Sequence, residues 1–169
     1  MKLSIGIDPG MSGAIAVINA DTREVLDVLD CPTMQLEKTK RDYNTPKMAE
    51  ILRKYAIKNT AFVTIERAQA MPGQGVTSTF HTGRGYGVWL GILGALEIPF
   101  QTIRPTEWTK KLLKGIPGKG KERSIRFAMS RFPGAELIPE RCKKPRDGRA
   151  DALCLSWYGS LLNISEWRI

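Results

Sequence analysis

Three short apolar segments, joined by short polar turns, open the chain. They are KLSIGID at 2–8, GAIAVIN at 13–19 and EVLDVLDC at 24–31. Each has the length and β-branched composition of a strand, and the glycine-rich DPGMSG between the first two is typical of a turn. Connections this short join antiparallel neighbours, because a parallel pair needs a long crossover. The chain is therefore predicted to begin with three antiparallel strands.

Helical and strand patterns alternate after these strands. Thr45 is predicted to cap a helix with Pro46 in its first turn, running through MAEILRKYAI. AFVTIE at 61–66 is a nearly continuous apolar strand, as expected at the centre of a sheet. The segment from about Thr79 to Leu96 is interpreted as a helix despite its glycines, with a loop as the alternative for its first half. The remaining elements are the strand PFQTIRP, the short helix PTEWTKKLL, the basic loop KGIPGKGK, the helix KERSIRFAMSRF ending before Pro133, and the last helix GRADALCLSWYGSLL.

This order of elements predicts an α/β fold in one domain, 1–169. Three antiparallel strands followed by helix-linked strands form a five-stranded mixed sheet with helices on both faces. The order βββαβαβα with a final helix is that of the RNase H-like fold. It disfavours the doubly wound dinucleotide fold, in which a helix follows the first strand. The sequence contains neither GxGxxG nor a Walker lysine-serine pair, so nucleotide binding is disfavoured too.

The chain is strongly basic. Its 169 residues include 26 Lys and Arg against 17 Asp and Glu, a net charge of +9. A solubilising surface is one explanation, but the clustering of the charges favours a polyanionic partner, nucleic acid above all. One group comprises Lys110, Lys111, Lys114, Lys119, Lys121, Arg123 and Arg126. A second comprises Arg141, Lys143, Lys144, Arg146 and Arg149.

Targeting features are lacking in the sequence. No apolar run is long enough to span a membrane, and MKLSIGIDPG does not have the layout of a signal peptide. Cys31, Cys142 and Cys154 are odd in number and share no metal-ligand spacing, which predicts reduced thiols. We therefore expect a soluble, cytoplasmic protein.

Four acidic residues stand at positions where carboxylates can converge. Asp8 ends the first strand, although a turn aspartate there is also commonplace. Glu66 closes an apolar strand, where burying a charge is costly unless something compensates it. Asp147 and Asp151 are four residues apart and share one helix face. The alternatives are a helix N-cap for Asp147 and a solvated position for Asp151.

Convergent carboxylates without cysteine or histidine partners suit Mg²⁺ or Mn²⁺ rather than zinc. Two such ions about 3.5–4 Å apart can stabilise both the attacking and the leaving oxygen of a phosphodiester. A basic protein with an acidic metal site is therefore interpreted as a phosphodiesterase that uses two Mg²⁺ ions, for which Mn²⁺ can substitute.

Successive blocks of the chain resemble the RuvC-type Holliday junction resolvases, especially their phage and organellar branch. The blocks are IGIDPGMSGAIAVI, VTIERAQAMPGQG, TIRPTEWTKKL, KERSIRFAMSRFPGAE and DGRADALCLSWYG. The resemblance implies an RNase H-like homodimer that nicks two opposing strands of a four-way DNA junction symmetrically. It implies that Asp8, Glu66 and Asp151 are metal ligands. The family's fourth acid commonly stands where this chain has Gly148, with Asp147 one residue earlier.

The resemblance also implies residues that act on DNA. Lys121 matches a lysine near the scissile phosphate, and a second falls at Lys110 or Lys111; a solvated surface is the alternative for any one lysine. Phe80 matches an aromatic near the junction centre, with core packing as the alternative. A catalytic role for His81, the only histidine, is a weaker hypothesis, and Trp108 is assigned to the core. The predicted DNA-binding residues are Phe80, Arg84, Lys110, Lys111, Lys119, Lys121, Arg123, Lys143, Lys144 and Arg146.

The glycine-containing helix from about Thr79 to Leu96 is the candidate dimer interface. Its apolar residues there are Leu90, Ile92, Leu93 and Leu96. Two active sites related by a two-fold axis would match the symmetry of the junction. The alternatives are a broader phage debranching nuclease, a ribonuclease acting on RNA–DNA hybrids, and an inactive junction-binding protein.

Overall fold

A computed structural model of the chain describes residues 1–38, 40–56, 59–70, 72–140 and 142–162, and has an α/β architecture. Five strands form the main sheet in the order β3-β2-β1-β6-β7, with β1 antiparallel to β2 and parallel to β6. These strands are β1 Lys2–Ile7, β2 Ala14–Asn19, β3 Val25–Asp30, β6 Thr60–Glu66 and β7 Phe100–Ile103. The predicted five-stranded mixed sheet is confirmed.

Five helices accompany the sheet. They are α1 Thr45–Ala56, α2 Val76–Ala95, α3 Pro105–Leu112, α4 Lys121–Arg131 and α5 Asp147–Ser160. The helix alternative for the glycine-rich segment is the right one, since α2 is continuous and begins before Thr79. The predicted cap on Thr45 is wrong. Asn44 Oδ1 accepts the backbone N–H of Lys47 at 3.1 Å and so caps α1. Ile57, the last residue of the predicted helix, lies outside the described residues.

A second, two-stranded sheet was not predicted from the sequence. It is a hairpin of β4, Thr33–Glu37, and β5, Lys40–Tyr43. Most of its described residues are exposed. TMQLE does alternate between polar and apolar residues, but its apolar Met34 and Leu36 are exposed, and KRDY shows no such alternation. Among the described residues of the hairpin only Tyr43 is buried, and it anchors the hairpin beside α2. One short alternating segment beside a charged one does not mark a hairpin by periodicity.

The main sheet separates two apolar layers. On β1, Leu3, Ile5 and Ile7 face the layer that contains residues of α1 and α2. The opposite layer contains Ala14 and Ala16 of β2 together with residues of α4 and α5. Side chains alternate between the faces of a strand, so Ser4 and Gly6 of β1 lie on the α5 side. Helices therefore cover both faces, as predicted.

Helix α5 lies unusually close to the central strands. A Cβ added to Gly6 would lie 2.0 Å from the carbonyl oxygen of Ala152, and one added to Gly159 would lie 2.4 Å from Thr64 Oγ1. Ser4 Oγ donates a hydrogen bond to the Ser156 carbonyl oxygen at 2.7 Å. Such a close approach requires glycine or another very small residue at the contact, because protein interiors are close-packed. The close packing holds the first turns of α5 against the ends of β1 and β6.

Among the described helices, none is both long enough and apolar enough to cross a membrane. The three cysteines are free, and Cys31 and Cys154 are buried. Burial raises the pKa of the Cys31 thiol to about 12, so this thiol stays protonated at neutral pH.

Candidate active site

Two of the predicted acids follow neighbouring parallel strands. Ile7 pairs with Ile65 in the β1–β6 register, so Asp8 and Glu66 emerge side by side at the carboxyl ends of these strands. Alternate residues of a strand lie on the same face, so Asp8 shares a face with Gly6, and Glu66 shares a face with Thr64. Gly6 and Thr64 face α5. The two carboxylates therefore lie at one sheet edge and on the face that α5 covers.

The start of α5 brings the other two acids to the same place. Gly148, in the first turn, packs on the loop after β1, where an added Cβ would lie 2.5 Å from the Ser12 carbonyl oxygen. Asp151 follows one turn later, and its charge acts on Asp8 and Glu66. The solvated alternative for Asp151 is wrong, because its carboxylate is largely desolvated. The tight contact leaves no room for a side chain at 148, so in this chain an acid in the first turn of α5 can stand at 147 but not at 148.

Burial and mutual repulsion perturb these carboxylates strongly. Desolvation, followed by the charges of Asp151 and Glu66, raises the pKa of Asp8 to about 7. Desolvation also raises the pKa of Asp151 to about 6, with a further contribution from Asp147. Burial is also the main cause of the raised pKa of Glu66. Buried acids of like charge indicate a site that is built to receive a cation.

Asp147 has a different environment from the other three. Burial raises its pKa, but a hydrogen bond and the positive charge of Lys121 outweigh this, so the net pKa is lowered. Lys121 Nζ donates to Asp147 Oδ2 from the first residue of α4. The N-cap alternative for Asp147 is wrong, since Arg146 precedes the helix and Asp147 is its first residue. The lysine thus joins the acidic cluster as a mobile, largely exposed countercharge.

Two residues at this site were missed by sequence reasoning. Trp108, which lies in the core as expected, also donates its indole N–H to Glu66 Oε2 at 2.7 Å. Ser124 lies close enough to Asp151 to lower the pKa of that carboxyl, although its hydroxyl is also 3.0 Å from the Lys121 carbonyl oxygen. The only signal for either was its place in the quoted blocks, and no spacing rule marks it as a partner of an acid.

The carboxylates match the ligand chemistry of Mg²⁺ or Mn²⁺. Within the described residues, no group of three or more His, Cys, Asp or Glu side chains is already arranged to hold a metal ion. Asp147 is paired with Lys121, a cation that the chain itself supplies. The remaining donors are carboxylate oxygens, which are hard ligands. They are desolvated and repel one another, and a bound divalent cation would offset this repulsion. The donor set therefore fits the predicted metals.

A basic groove adjoins the acids. It has a volume of about 500 Å³, and its lining includes Ser12, Lys143, Lys144, Arg146 and Asp147. Lys110, Lys111 and Lys119 are exposed, and Lys111 Nζ lies 5.0 Å from the centre of the Tyr158 ring. Lys143, Lys144 and Arg146 therefore lie beside Asp147, whereas Lys111 lies beside Tyr158 near the last turn of α5.

Two arginines of the basic groups have structural partners instead. Arg149 is buried and donates to Asp30 Oδ1 and to the Glu136 carbonyl oxygen, both at 2.7 Å, so it does not belong to the exposed basic surface. Arg123 is partly buried and donates to the Leu113 carbonyl oxygen, which ties α4 to the end of α3. Arg141 of the second group lies outside the described residues.

The predicted junction-contacting residues on α2 lie near its first turns. Phe80 is 65% exposed, so the core-packing alternative is wrong. His81 packs against Phe80 in a T-shaped arrangement, with ring centroids 6.0 Å apart. Arg84 pairs with Asp42 of β5 at 2.6 Å. The hairpin and the first half of α2 thus form one surface.

Four exposed glycines line α2, and its large apolar residues are buried to different degrees. Leu93 is fully buried, so the predicted interface is wrong for this residue. Leu90, Ile92 and Leu96 are partly buried against the core, and their place in a dimer contact stays a prediction. A Cβ added to any of four exposed glycines of this helix would meet nothing within 4 Å. These glycines are Gly83, Gly87, Gly91 and Gly94.

Solved structures share this fold over more than nine-tenths of the chain. Thermus thermophilus RuvC in complex with a Holliday junction substrate is 13% identical, with a TM-score of 0.60 over 93% of this chain and 91% of that one. A second T. thermophilus RuvC structure is 15% identical, with a TM-score of 0.58 over 92% and 91%. The yeast mitochondrial Holliday junction resolvase Ydc2 is 15% identical, with a TM-score of 0.54 over 92% and 77%.

No protein-family model and no curated protein matches the chain. At 13–15% sequence identity, these three structural similarities are evidence for the fold. The strand order, the mixed sheet and the helices on both of its faces agree with that fold. The chain therefore has the RNase H-like fold found in the RuvC-type Holliday junction resolvases.

Proposed function

We propose that this chain is a Holliday junction resolvase that nicks opposing strands of a four-way DNA junction by metal-dependent phosphodiester hydrolysis. The observation that carries the proposal is the convergence of Asp8, Glu66 and Asp151, with Asp147 and Lys121 beside them, at the ends of the central strands. The likeness to solved resolvases supports the choice of a branched substrate. The proposed setting is a bacterial or phage-infected cytoplasm.

The four carboxylates would hold Mg²⁺ or Mn²⁺, two ions per site. When bound, such ions supply an activated water and stabilise the charge on the attacking and leaving oxygens, which yields 5′-phosphate and 3′-hydroxyl ends. Asp8 and Asp151 must be deprotonated to act as ligands, and their raised pKa values tie this to pH. Lys121 would leave Asp147 for a phosphate oxygen of the substrate, since its side chain is 76% exposed and free to move.

The DNA backbone would lie across the basic surface on either side of the acids. Lys143, Lys144 and Arg146 line the groove next to Asp147, and Lys121, the first residue of α4, pairs with Asp147. Each phosphate contact releases counterions, so binding should weaken steeply with salt. The exposed ring of Phe80 would stack on a base at the junction centre.

A homodimer through α2 would place two such sites symmetrically. Exposed glycines along one face of this helix let another helix approach closely, and Val76 and Phe80 add exposed apolar surface at its start. A self-complementary two-fold contact matches the symmetry of two nicks on opposing strands.

The test uses an immobile four-way junction with labelled arms. Wild type, Asp8→Asn and the exposed control Asp21→Asn are incubated in Mg²⁺ and in EDTA. We expect paired, symmetric nicks from wild type and Asp21→Asn in Mg²⁺ only, with junction binding retained in Asp8→Asn. Equal cutting of a flap, a linear duplex or an RNA–DNA hybrid would point to a broader nuclease. Binding without cutting under either Mg²⁺ or Mn²⁺ would identify a junction-binding protein instead.

A further inference from the structure

Glu66 is held by a buried, uncharged hydrogen-bond donor. The indole Nε1 of Trp108 lies 2.7 Å from Glu66 Oε2. Trp108 is only 3% exposed and packs with Leu113 and Phe127 in the apolar cluster beneath α3. An indole N–H in so buried a side chain costs free energy unless it has a partner. The contact with Glu66 satisfies it.

The chain geometry fixes this contact from both sides. Glu66 pairs with Ile103 in the β6–β7 register, so the end of β7 lies beside the carboxylate. Pro105 then begins α3 almost at once, and its fixed φ suits the first helical position. Trp108 follows one turn later and points back to the strand end. Sheet pairing and helix start thus set the position of the indole.

A neutral donor acts on a carboxylate differently from a lysine. The Lys121 pairing of Asp147 supplies a competing positive charge, and that lysine is mostly exposed. An indole N–H carries no net charge, so it orients the carboxylate and leaves it anionic. One such bond uses one lone pair of one oxygen, and the remaining lone pairs can face a cation.

We propose that Trp108 is a positioning residue for Glu66, holding its carboxylate by Oε2 in the orientation in which it binds the divalent metal. The inference rests on the proposed function, because it takes Glu66 to be a metal ligand. Partners that orient metal ligands typically change metal affinity about 10–100-fold when they are removed. A tryptophan that only filled the core would be replaced by phenylalanine without such a loss.

The experiment measures Mn²⁺ binding by calorimetry, without DNA, for wild type, Trp108→Phe, Glu66→Gln and Trp157→Phe. Trp157 is the matched control: its ring packs against Phe127, 5.9 Å between centroids, in the same cluster. We expect Trp108→Phe to bind Mn²⁺ about 10-fold more weakly, and Trp157→Phe to bind like wild type. Junction nicking by Trp108→Phe should recover at saturating Mn²⁺, whereas a general packing defect would lower the rate at every Mn²⁺ concentration.

The outcomes separate the two claims. Equal Mn²⁺ affinity in wild type and Trp108→Phe, with weaker binding by Glu66→Gln, overturns the role of Trp108 and leaves the proposed function standing. Wild type that shows no Glu66-dependent binding overturns both. If Trp108→Phe does not fold, site-specific replacement by benzothienylalanine, which exchanges the N–H for sulfur in a ring of the same shape, makes the same test. Wild-type affinity in that protein overturns the proposal.

Discussion

Gly148 packs against the backbone of Ser12 so closely that an added Cβ would lie 2.5 Å from the Ser12 carbonyl oxygen. Gly148→Ala should therefore push α5 away from the loop after β1. We expect a loss of about 1–3 kcal/mol in the free energy of unfolding, measured by urea denaturation. Nicking should fall further than stability, because the shift moves Asp151 away from Asp8.

Gly134→Ala is the control for this prediction, since a Cβ there meets nothing within 4 Å. Its stability should stay within about 0.5 kcal/mol of wild type. An unchanged unfolding midpoint in Gly148→Ala would show that the loop after β1 moves to admit the side chain. Close packing would then not be what excludes a side chain at 148.

Asp8→Asn should stabilise the metal-free protein above neutral pH. The pKa of Asp8 rises from 3.8 to about 7 on folding, so the folded state holds this proton more tightly than the unfolded chain. Wild-type stability then falls as pH rises between about 4 and 7, and the loss is complete above pH 7. The substitution removes a loss on the order of 2–4 kcal/mol at pH 8 and has little effect below pH 4. Thermal unfolding across pH in EDTA measures it, and a gain that does not grow with pH would contradict it.

Lys121→Met should abolish nicking while leaving stability nearly unchanged. Its ion pair with Asp147 is largely exposed, and exposed pairs contribute at most about 1 kcal/mol. Lys47→Met breaks a similarly exposed pair with Glu50 on α1 and serves as the matched control. Both variants should unfold within about 1 kcal/mol of wild type, and only Lys121→Met should lose activity on the junction. Full activity in Lys121→Met would remove this lysine from the site.

Arg149→Leu should act on stability rather than on DNA binding. It removes a buried guanidinium that joins α5 to Asp30 and to the Glu136 carbonyl oxygen. Because Asp30 is itself 41% exposed, we expect a loss of about 2–3 kcal/mol rather than the full cost of an isolated buried charge. The salt dependence of junction binding, measured on the folded protein, should be that of wild type.

The neighbouring groove residues should show the opposite behaviour. A combined Lys143→Ala, Lys144→Ala and Arg146→Ala variant should unfold like wild type. Its slope of log affinity against log salt should be shallower by about 0.9 for each phosphate contact that is lost. A slope equal to that of wild type would place the DNA elsewhere.

Gly87→Leu should separate assembly from folding. The position is exposed and has open space around it, so the monomer accommodates a side chain and gains helix propensity. If α2 pairs with a second α2, the leucine blocks the close approach and shifts the protein to a monomer in analytical ultracentrifugation. A variant that sediments like wild type would assign the dimer contact to another surface.

Much of the candidate site could be predicted from the sequence because it depends on local patterns. Short apolar, β-branched runs and short turns identified the strands, and Asp8 and Glu66 follow directly from where two of these strands end. The i, i+4 spacing placed Asp147 and Asp151 on one helix face. Each of these features depends on a few consecutive residues, because the repeat of a strand or a helix is the same in every fold.

Contacts between distant segments were decided by the tertiary structure alone. Strand β5 of the hairpin lacks a periodic apolar pattern, and Leu93 of α2 is buried in the core while four glycines of the same helix are exposed. Trp108 and Glu66 are 42 residues apart, and only the β6–β7 register and the start of α3 bring the indole to the carboxylate. The need for a glycine at 148 is evident only from its contact with Ser12, whose carbonyl oxygen would lie 2.5 Å from an added Cβ. Hydrogen bonds and close approach depend on distances in space, and the spacing of residues along the chain does not encode them.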